Sequence, residues 1–322
     1  MIDDRAPDEK PDAPEISVVI PVYRSAAMLE TLYGRLVSAL DALARDWEIV
    51  FVEDASPDDS WRVLERLAGR DARVRPLRLM RNYGQQRAVL AGLARARGDV
   101  VVTMDDDGQH RPEEIGLLLE ALECSDDDVV IGRYREKKHG MVRRLGTLAV
   151  KWLAERTIGI PPSLAMTSFR AMRGGVARAV GQLEHTNPVV GYLIFAVTRR
   201  VSNVDVHHDD RIAGVSNYGL KDLVDYMLCM VIDYSDWPLR AVGGAGMLLS
   251  LGSFALGLGY LVQYARGAIT VGGFTTMVLL LTFFFGFTLT ALGIIGSYLV
   301  RVLRRGGPDC QVHLRSAPHD VV

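Results

Sequence analysis

Cysteine is scarce in this chain. Its 322 residues include three, Cys124, Cys229 and Cys310. They lie far apart and show none of the short spacings of a metal knuckle, a redox pair or a disulfide framework. A reducing compartment suits them. A surplus of one charge is also missing, since 37 lysines and arginines stand against 39 aspartates and glutamates, a formal net charge of −2. No aromatic residues interleave with the basic groups, which excludes the stacking platform of a nucleic-acid groove. The opening residues are acidic and proline-rich rather than basic then apolar, so no secretory signal is expected ahead of Ile16. Internal repeats are absent. What the chain has in quantity is apolar residues, 49% of the total. That is enough for one sizeable folded domain and two long apolar runs near the C-terminus.

In the N-terminal half, β-branched runs alternate with helical spacing. Residues 16–23 read as a strand stopped by Pro21, and residues 47–54 as a second, ending in Glu53 and Asp54 before the turn at 55–59. Between them Leu29, Leu32, Leu36, Leu40 and Leu43 recur at helical spacing over 28–43. A third strand is expected over 74–80, a helix over 86–97, and further strands over 98–103 and 128–132. This alternation predicts an α/β domain with a mostly parallel, Rossmann-like sheet. Both faces are covered and ligands sit at the carboxyl ends of the strands. Tyr23, Glu53, Asp54, Arg81, Asn82 and the run Met104-Asp105-Asp106-Asp107-Gly108-Gln109-His110 all fall at those ends.

That run carries the most chemistry. Alternate residues point the same way, so Asp105 and Asp107 can clamp one ion while Asp106 turns elsewhere. Hard oxygen donors suit Mg²⁺ or Mn²⁺, which keep positions open for substrate phosphates. Three aspartates alone describe a solvated acidic turn equally well. Their place at the mouth of a buried strand favours a metal–diphosphate site.

Four motifs narrow the reading further. Ile20-Pro21-Val22-Tyr23, Val52-Glu53-Asp54-Ala55-Ser56, Arg81-Asn82-Tyr83-Gly84-Gln85, and the aspartate run with Pro112-Glu113-Glu114 occur in this order. Together they resemble an inverting family-2 glycosyltransferase of GT-A fold, over about residues 15–305. Within that family the chain is most similar to the polyprenyl-phosphate glycosyltransferases, through Asn82 to Gln85, Arg156-Thr157-Ile158-Gly159 and Val206-His207-His208.

The resemblance implies transfer of a sugar from a nucleotide sugar, UDP-linked, to a polyprenyl phosphate such as undecaprenyl phosphate. The anomeric carbon is inverted, and the product serves cell-envelope glycan modification. Pro21, Tyr23, Glu53, Asp54, Asp105 and Asp106 would bind the nucleotide, with Asp54 accepting the imide N–H of uracil. Glu53 stands where the family usually carries Asp. Asp105 and Asp107 are the implied catalytic pair, and Asp105, Asp107 and Gln109 the ligands of Mg²⁺ or Mn²⁺. His110 is left open between turn residue and ligand. Arg81 is favoured as a partner for the acidic rim over a phosphate contact. The acceptor phosphate would fall to Arg133, Arg135, Arg144, Arg211 and Ser216, since guanidinium groups match phosphate geometry. Lys137, Lys138 and Arg143 add to that basic group, and Asn217 replaces a family lysine.

The largest departure concerns the base. Relatives carry an Asp in the stretch corresponding to 163–170, and this chain has no acid there; Leu164 or Ser168 takes its place. A phosphomonoester has its second pKa near 6, so the acceptor is largely dianionic at neutral pH. Such a nucleophile needs positioning more than deprotonation, and catalysis without a side-chain base is expected.

Residues 242–264 and 277–300 have the length and apolarity of bilayer spans. Gly243, Gly244, Gly246, Gly286, Gly293 and Gly296 would let the two helices approach closely. Arg240, Arg301, Arg304 and Arg305 flank the pair and Arg266 alone lies between, which puts the catalytic domain and both termini on the cytoplasmic side of the inner membrane. Residues 219–237 carry the apolar face of an interfacial helix, ended by Pro238.

The expected organisation runs as follows: a disordered leader (1–14), the GT-A domain (15–210), an acceptor loop with the interfacial helix (211–240), a transmembrane hairpin (241–305) and a disordered cytoplasmic tail (306–322). Homo-oligomers are expected by resemblance, and His207 and His208, facing opposite ways on a strand, are given structural roles. Two rivals remain. A processive polysaccharide synthase of this fold needs more spans and a Gln-x-x-Arg-Trp motif, which is absent. A degenerate membrane scaffold explains the missing acid but not the intact Asp105, Asp107 and Gln109.

Overall fold

Seven consecutive buried residues, Ile16–Val22, form strand β1, and seven more, Trp47–Glu53, form β2. Burial on both sides of a strand requires a central position in a covered parallel sheet. The computed structural model provides one. It describes residues 13–134, 155, 159–185, 187–207, 237–267, 273–303 and 312–316. These divide into two compact units, one holding the sheet and residues 312–316, the other holding the long C-terminal helices.

In the first unit β1 pairs in parallel with β2 and with β4 (Val100–Thr103), and β2 with β3 (Val74–Leu79). Beyond β4 lies β6 (Arg170–Arg173), antiparallel both to β4 and to β5 (Val129–Tyr134). Strand β7 (Val201–Val206) runs parallel to β5 and closes that edge. Helix α1 (Leu29–Asp41) buries Leu29, Leu32, Leu36 and Leu40. Helix α2 (Ser60–Arg70) buries Val63, Leu64 and Leu67. Helices α3 (Gln85–Leu93), α4 (Ile115–Glu123), α5 (Gly174–Gly181) and α6 (Val190–Val197) complete the cover. The helix expected over 86–97 ends at Leu93, because Arg97 is held elsewhere. Its N–H and its Nε each donate to buried Glu48 at 2.9 Å.

The tail is a correction. Residues 306–322 are expected to be disordered, yet Leu314–Ser316 form β8, antiparallel to the outer edge of β3. Met80 N–H donates to His313 O at 3.0 Å. An edge strand offers unpaired N–H and C=O groups to any segment that reaches it, and this segment takes them.

The second unit contains α7 (Trp237–Ala265) and α8 (Phe274–Leu303). Within α7, residues Gly243–Ala265 are long and apolar enough to cross a membrane, while α8 carries a shorter apolar stretch, Leu280–Gly296. Large apolar side chains such as Leu248, Phe254, Phe285 and Phe287 face outward on both. The helices meet at glycines. A Cβ on Gly246 would lie 2.8 Å from Gly286 O, and one on Gly286 would lie 2.8 Å from Gly246 O. Of the expected interfacial helix only Trp237, the first residue of α7, lies inside the described residues.

Candidate active site

The carboxyl ends of β1, β2, β3 and β4 form one rim, and two carboxylates, Asp106 and Asp54, tie its loops together. After β4, Asp106 turns toward the loop after β1. Its Oδ2 accepts the N–H of Tyr23 at 3.2 Å and the hydroxyl of Ser25. Burial pushes the Asp106 carboxyl up to about 6, against the two hydrogen bonds that pull it down; the Asp105 charge adds to the rise. After β2, Asp54 is 3% exposed and accepts the backbone N–H of Tyr83 (2.7 Å) and of Gly84 (2.8 Å). It thereby ties that loop to the one after β3. Burial outweighs these bonds and raises its pKa too. Each Asp54 oxygen keeps a second acceptor position.

A raised carboxyl has a signed consequence. Above about pH 6 Asp106 is ionised in both states, and only the native state carries the desolvation cost. Below that pH the native state takes up a proton before the unfolded chain does, and the cost is relieved. Asp106→Asn is therefore expected to raise the melting temperature at neutral pH in EDTA by a few degrees. The gain should shrink as pH falls through about 6. Thermal unfolding of both proteins across that range checks this.

Asp105 and Asp107 are partly exposed. The Asp105 carboxylate accepts Gln85 Nε2–H on Oδ1 (2.6 Å) and the Ser168 hydroxyl on Oδ2 (2.5 Å). Asp107 Oδ1 accepts the N–H of Gln109 at 3.1 Å, across a turn in which Gly108 has φ +75°. A side chain at Gly108 would strain that turn. His110 is 2% exposed, and its Nδ1 accepts the Asp105 N–H at 2.9 Å. Its ring stacks on Phe169 at 5.1 Å and on Tyr134 at 6.1 Å between centroids. These contacts make His110 a brace of the turn.

Several expected site residues have other work. Glu53 has no exposed surface. Its Oε1 accepts the Ser56 N–H and its Oε2 sits 3.3 Å from Arg78 Nε, so it shapes the turn beneath the rim. Burial raises its pKa. Its expected place against a nucleotide is corrected accordingly. Pro21 is buried in β1 opposite Val52. Tyr23, by contrast, is 41% exposed at the rim. The Arg81 guanidinium lies over the Tyr83 ring, 4.7 Å from its centroid. Arg133 donates from Nε to Asp205 at 2.7 Å across the β5–β7 pair. Arg135, Arg144, Arg211 and Ser216 lie outside the described residues, as do Lys137, Lys138, Arg143, residues 156–158 and His208.

Other participants carry little sequence signal. Arg170, at the start of β6, is 7% exposed and donates from Nε to Thr167 O at 2.5 Å. Burial lowers its guanidinium to about 10, opposed by Asp105 and Tyr134. The segment just before it is tightly held. Ala165 exchanges hydrogen bonds with the Asn203 side chain (2.8 and 3.0 Å), and Thr167 Oγ1 donates to Gly132 O (2.7 Å). His207 bonds Glu114 through its N–H (2.9 Å) and lies 2.5 Å from it through Nδ1. That pairing gives His207 a structural role at the end of β7.

Among the described residues no three His, Cys, Asp or Glu side chains converge as a closed metal site. Asp105, Asp107 and the amide of Gln109 carry hard oxygen atoms, the donor type that suits Mg²⁺ or Mn²⁺.

The sequence pattern of glycosyl transferase family 2 matches residues 17–171. The chain is 33% identical over 295 residues to the undecaprenyl-phosphate 4-deoxy-4-formamido-L-arabinose transferase of Edwardsiella ictaluri, covering 89% of each. It is 35% identical over 292 residues to the protein of that name from Pseudomonas aeruginosa, covering 89% of this chain and 85% of the relative. In fold it is similar to glucosyl-3-phosphoglycerate synthase from Mycobacterium tuberculosis, solved with Mn²⁺, UDP and phosphoglyceric acid. The TM-score is 0.50 at 19% identity, over 68% of this chain and 77% of that one.

Proposed function

This chain belongs to glycosyl transferase family 2, and from that premise we propose that it transfers a sugar from a UDP-linked donor to undecaprenyl phosphate, inverting the anomeric carbon. One observation carries the reading. Asp105 and Asp107 stand partly exposed at the carboxyl end of β4, on the rim that bears Tyr23 and Asp54. They do so in a chain aligned over 89% of its length with relatives named for transfer to undecaprenyl phosphate.

Tyr23 and Asp54 face the nucleoside, with Pro21 behind them, and Asp106 holds the Tyr23 backbone in place. Mg²⁺ or Mn²⁺ fits Asp105, Asp107 and Gln109, because such ions take one or two carboxylates and fill their shell with substrate phosphates. Bound there, the ion supplies charge stabilisation to the departing nucleotide diphosphate. Arg135, Arg144, Arg211 and Ser216 are assigned to the lipid phosphate, and Arg133 joins them while its Nε is held by Asp205. That phosphate is already dianionic at neutral pH and needs orientation rather than a base.

Connectivity supports a two-span hairpin. Strands β7 and β8 belong to one sheet, so the chain that leaves after β7 must return to the same side to form β8. A single crossing by α7 alone would strand β8 across the bilayer. An even number of crossings satisfies this, which supports the reading of α7 and α8 as a hairpin of two spans; the arginines around them favour the cytoplasmic face of the inner membrane for the catalytic domain and both ends. The outward leucines and phenylalanines meet lipid or further copies in a homo-oligomer.

The deciding experiment incubates the full chain in detergent with undecaprenyl phosphate and a panel of radiolabelled UDP-sugars, with Mn²⁺ or Mg²⁺ and with EDTA. The expected result is chloroform-extractable label from one donor, lost in EDTA. UDP binding with metal but no transfer would redirect the search to other donor sugars. Absence of both transfer and nucleotide binding would favour the membrane scaffold.

A further inference from the structure

Asp105 is gripped from both sides, and we infer that Gln85 and Ser168 are positioning residues that fix its carboxylate toward the metal and diphosphate of the donor; this rests on the functional reading above. The two donors come from distant parts of the chain. Gln85 opens helix α3, after Gly84 with φ +88°, and donates from Nε2 to Oδ1 at 2.6 Å. Ser168 precedes β6 and donates its hydroxyl to Oδ2 at 2.5 Å. Neither is loosely placed. The Ser168 carbonyl accepts the Thr103 hydroxyl at 2.7 Å, which fastens Ser168 to β4, the strand that leads into Asp105. The neighbour of Gln85, Gln86, accepts the Val190 N–H at 2.9 Å and anchors the start of α3 to α6.

A carboxylate has about four acceptor positions. Each donor takes one on its oxygen, so one remains on each for a ligand. The side chain's torsions are then set by two anchored donors instead of by solvent. Asp107 is held differently, through the N–H of Gln109 in its own turn. The buried Arg170 charge interacts electrostatically with Asp105. The stretch at 163–168 contains no acid, and its contribution to the site is the Ser168 hydroxyl. Groups that orient a ligand-bearing side chain typically affect metal affinity about 10–100-fold.

The test measures UDP binding by calorimetry on the full chain in detergent, with Mn²⁺ and with EDTA, beside melting temperatures. Ser168→Ala and Gln85→Ala are each expected to weaken the Mn²⁺-dependent affinity about 10–100-fold. Affinity in EDTA and the melting temperature should stay near wild type. Ser168→Thr, which keeps the hydroxyl, should restore most of the metal-dependent affinity. If Ser168→Ala fails to fold, Gln85→Ala carries the same test from the other oxygen. Wild-type Mn²⁺-dependent affinity in both alanine variants overturns the inference, as does an equal loss with and without metal. Absence of metal-dependent UDP binding in the wild type overturns the functional reading and the inference together.

Discussion

Asp107→Asn is expected to lower sugar transfer at least about a hundredfold while leaving the fold intact. The amide keeps an Oδ1 that can accept the Gln109 N–H, so the turn around Gly108 survives. The change removes a charge. Asp106 is turned toward Tyr23 and Ser25, which leaves Asp105 and Asp107 as the proposed carboxylate pair for a cation. Losing one preorganised electrostatic contact at a site of developing charge typically costs about 10²–10³ in rate. Initial rates across a Mn²⁺ titration, with melting temperatures alongside, check this. A variant retaining more than a tenth of wild-type activity at saturating metal would remove Asp107 from the proposed ligand set.

The largest effect on stability is expected at the opposite end of the sheet. Glu48, the second residue of β2, is 1% exposed and fully engaged. It accepts from Ser17 Oγ (2.7 Å), the Arg97 N–H (2.9 Å), Arg97 Nε (2.9 Å) and an Arg75 terminal nitrogen (2.8 Å). Glu48→Leu leaves a half-buried Arg75 without its carboxylate and frees the chain before Gly98. Breaking a buried pair on one side costs about 3–5 kcal/mol. Burial alone would raise the Glu48 pKa, but the Arg97 N–H, Ser17 and Arg75 together bring it below its ordinary value. A lowered carboxyl stabilises the native state above the unfolded-state pKa and loses that contribution as pH falls through the folded one. The gap between wild type and variant should therefore narrow in acid. Urea unfolding at neutral pH and at about pH 4 measures it. A loss under about 1 kcal/mol at neutral pH would show that the arginines find other partners.

The two substitutions separate what the sheet's two ends do. Asp107→Asn acts on rate with the melting temperature preserved, and Glu48→Leu acts on the melting temperature while the folded fraction keeps its rate.

Much of this architecture is legible along the chain. Leu29, Leu32, Leu36 and Leu40 are spaced for one helix face, and they are the residues α1 buries. The runs that become β1 and β2 are apolar throughout, as strands buried on both faces must be. Their boundaries fall within a residue or so of the expected ones, since period and composition are local properties. β8 was not legible. Three residues are too few to show an alternation, and their pairing with β3 is made across more than two hundred residues of chain.

The carboxylates mark the same division. That acids gather at the strand ends follows from the sequence alone, because strand ends share one side of a parallel sheet. Which acids stay open was decided in three dimensions. Asp54 is drawn under the rim by the backbone N–H groups of the loop after β3 and Glu53 by its own turn, while Asp105, Asp106 and Asp107 stay partly exposed, Asp106 turned toward the loop after β1. Gln85 and Ser168 meet at Asp105, and Arg133 meets Asp205, only because strand order and register bring them together. Local pattern specifies each element and its buried face; contacts between distant elements depend on how the sheet is assembled, and that is where the site acquires its geometry.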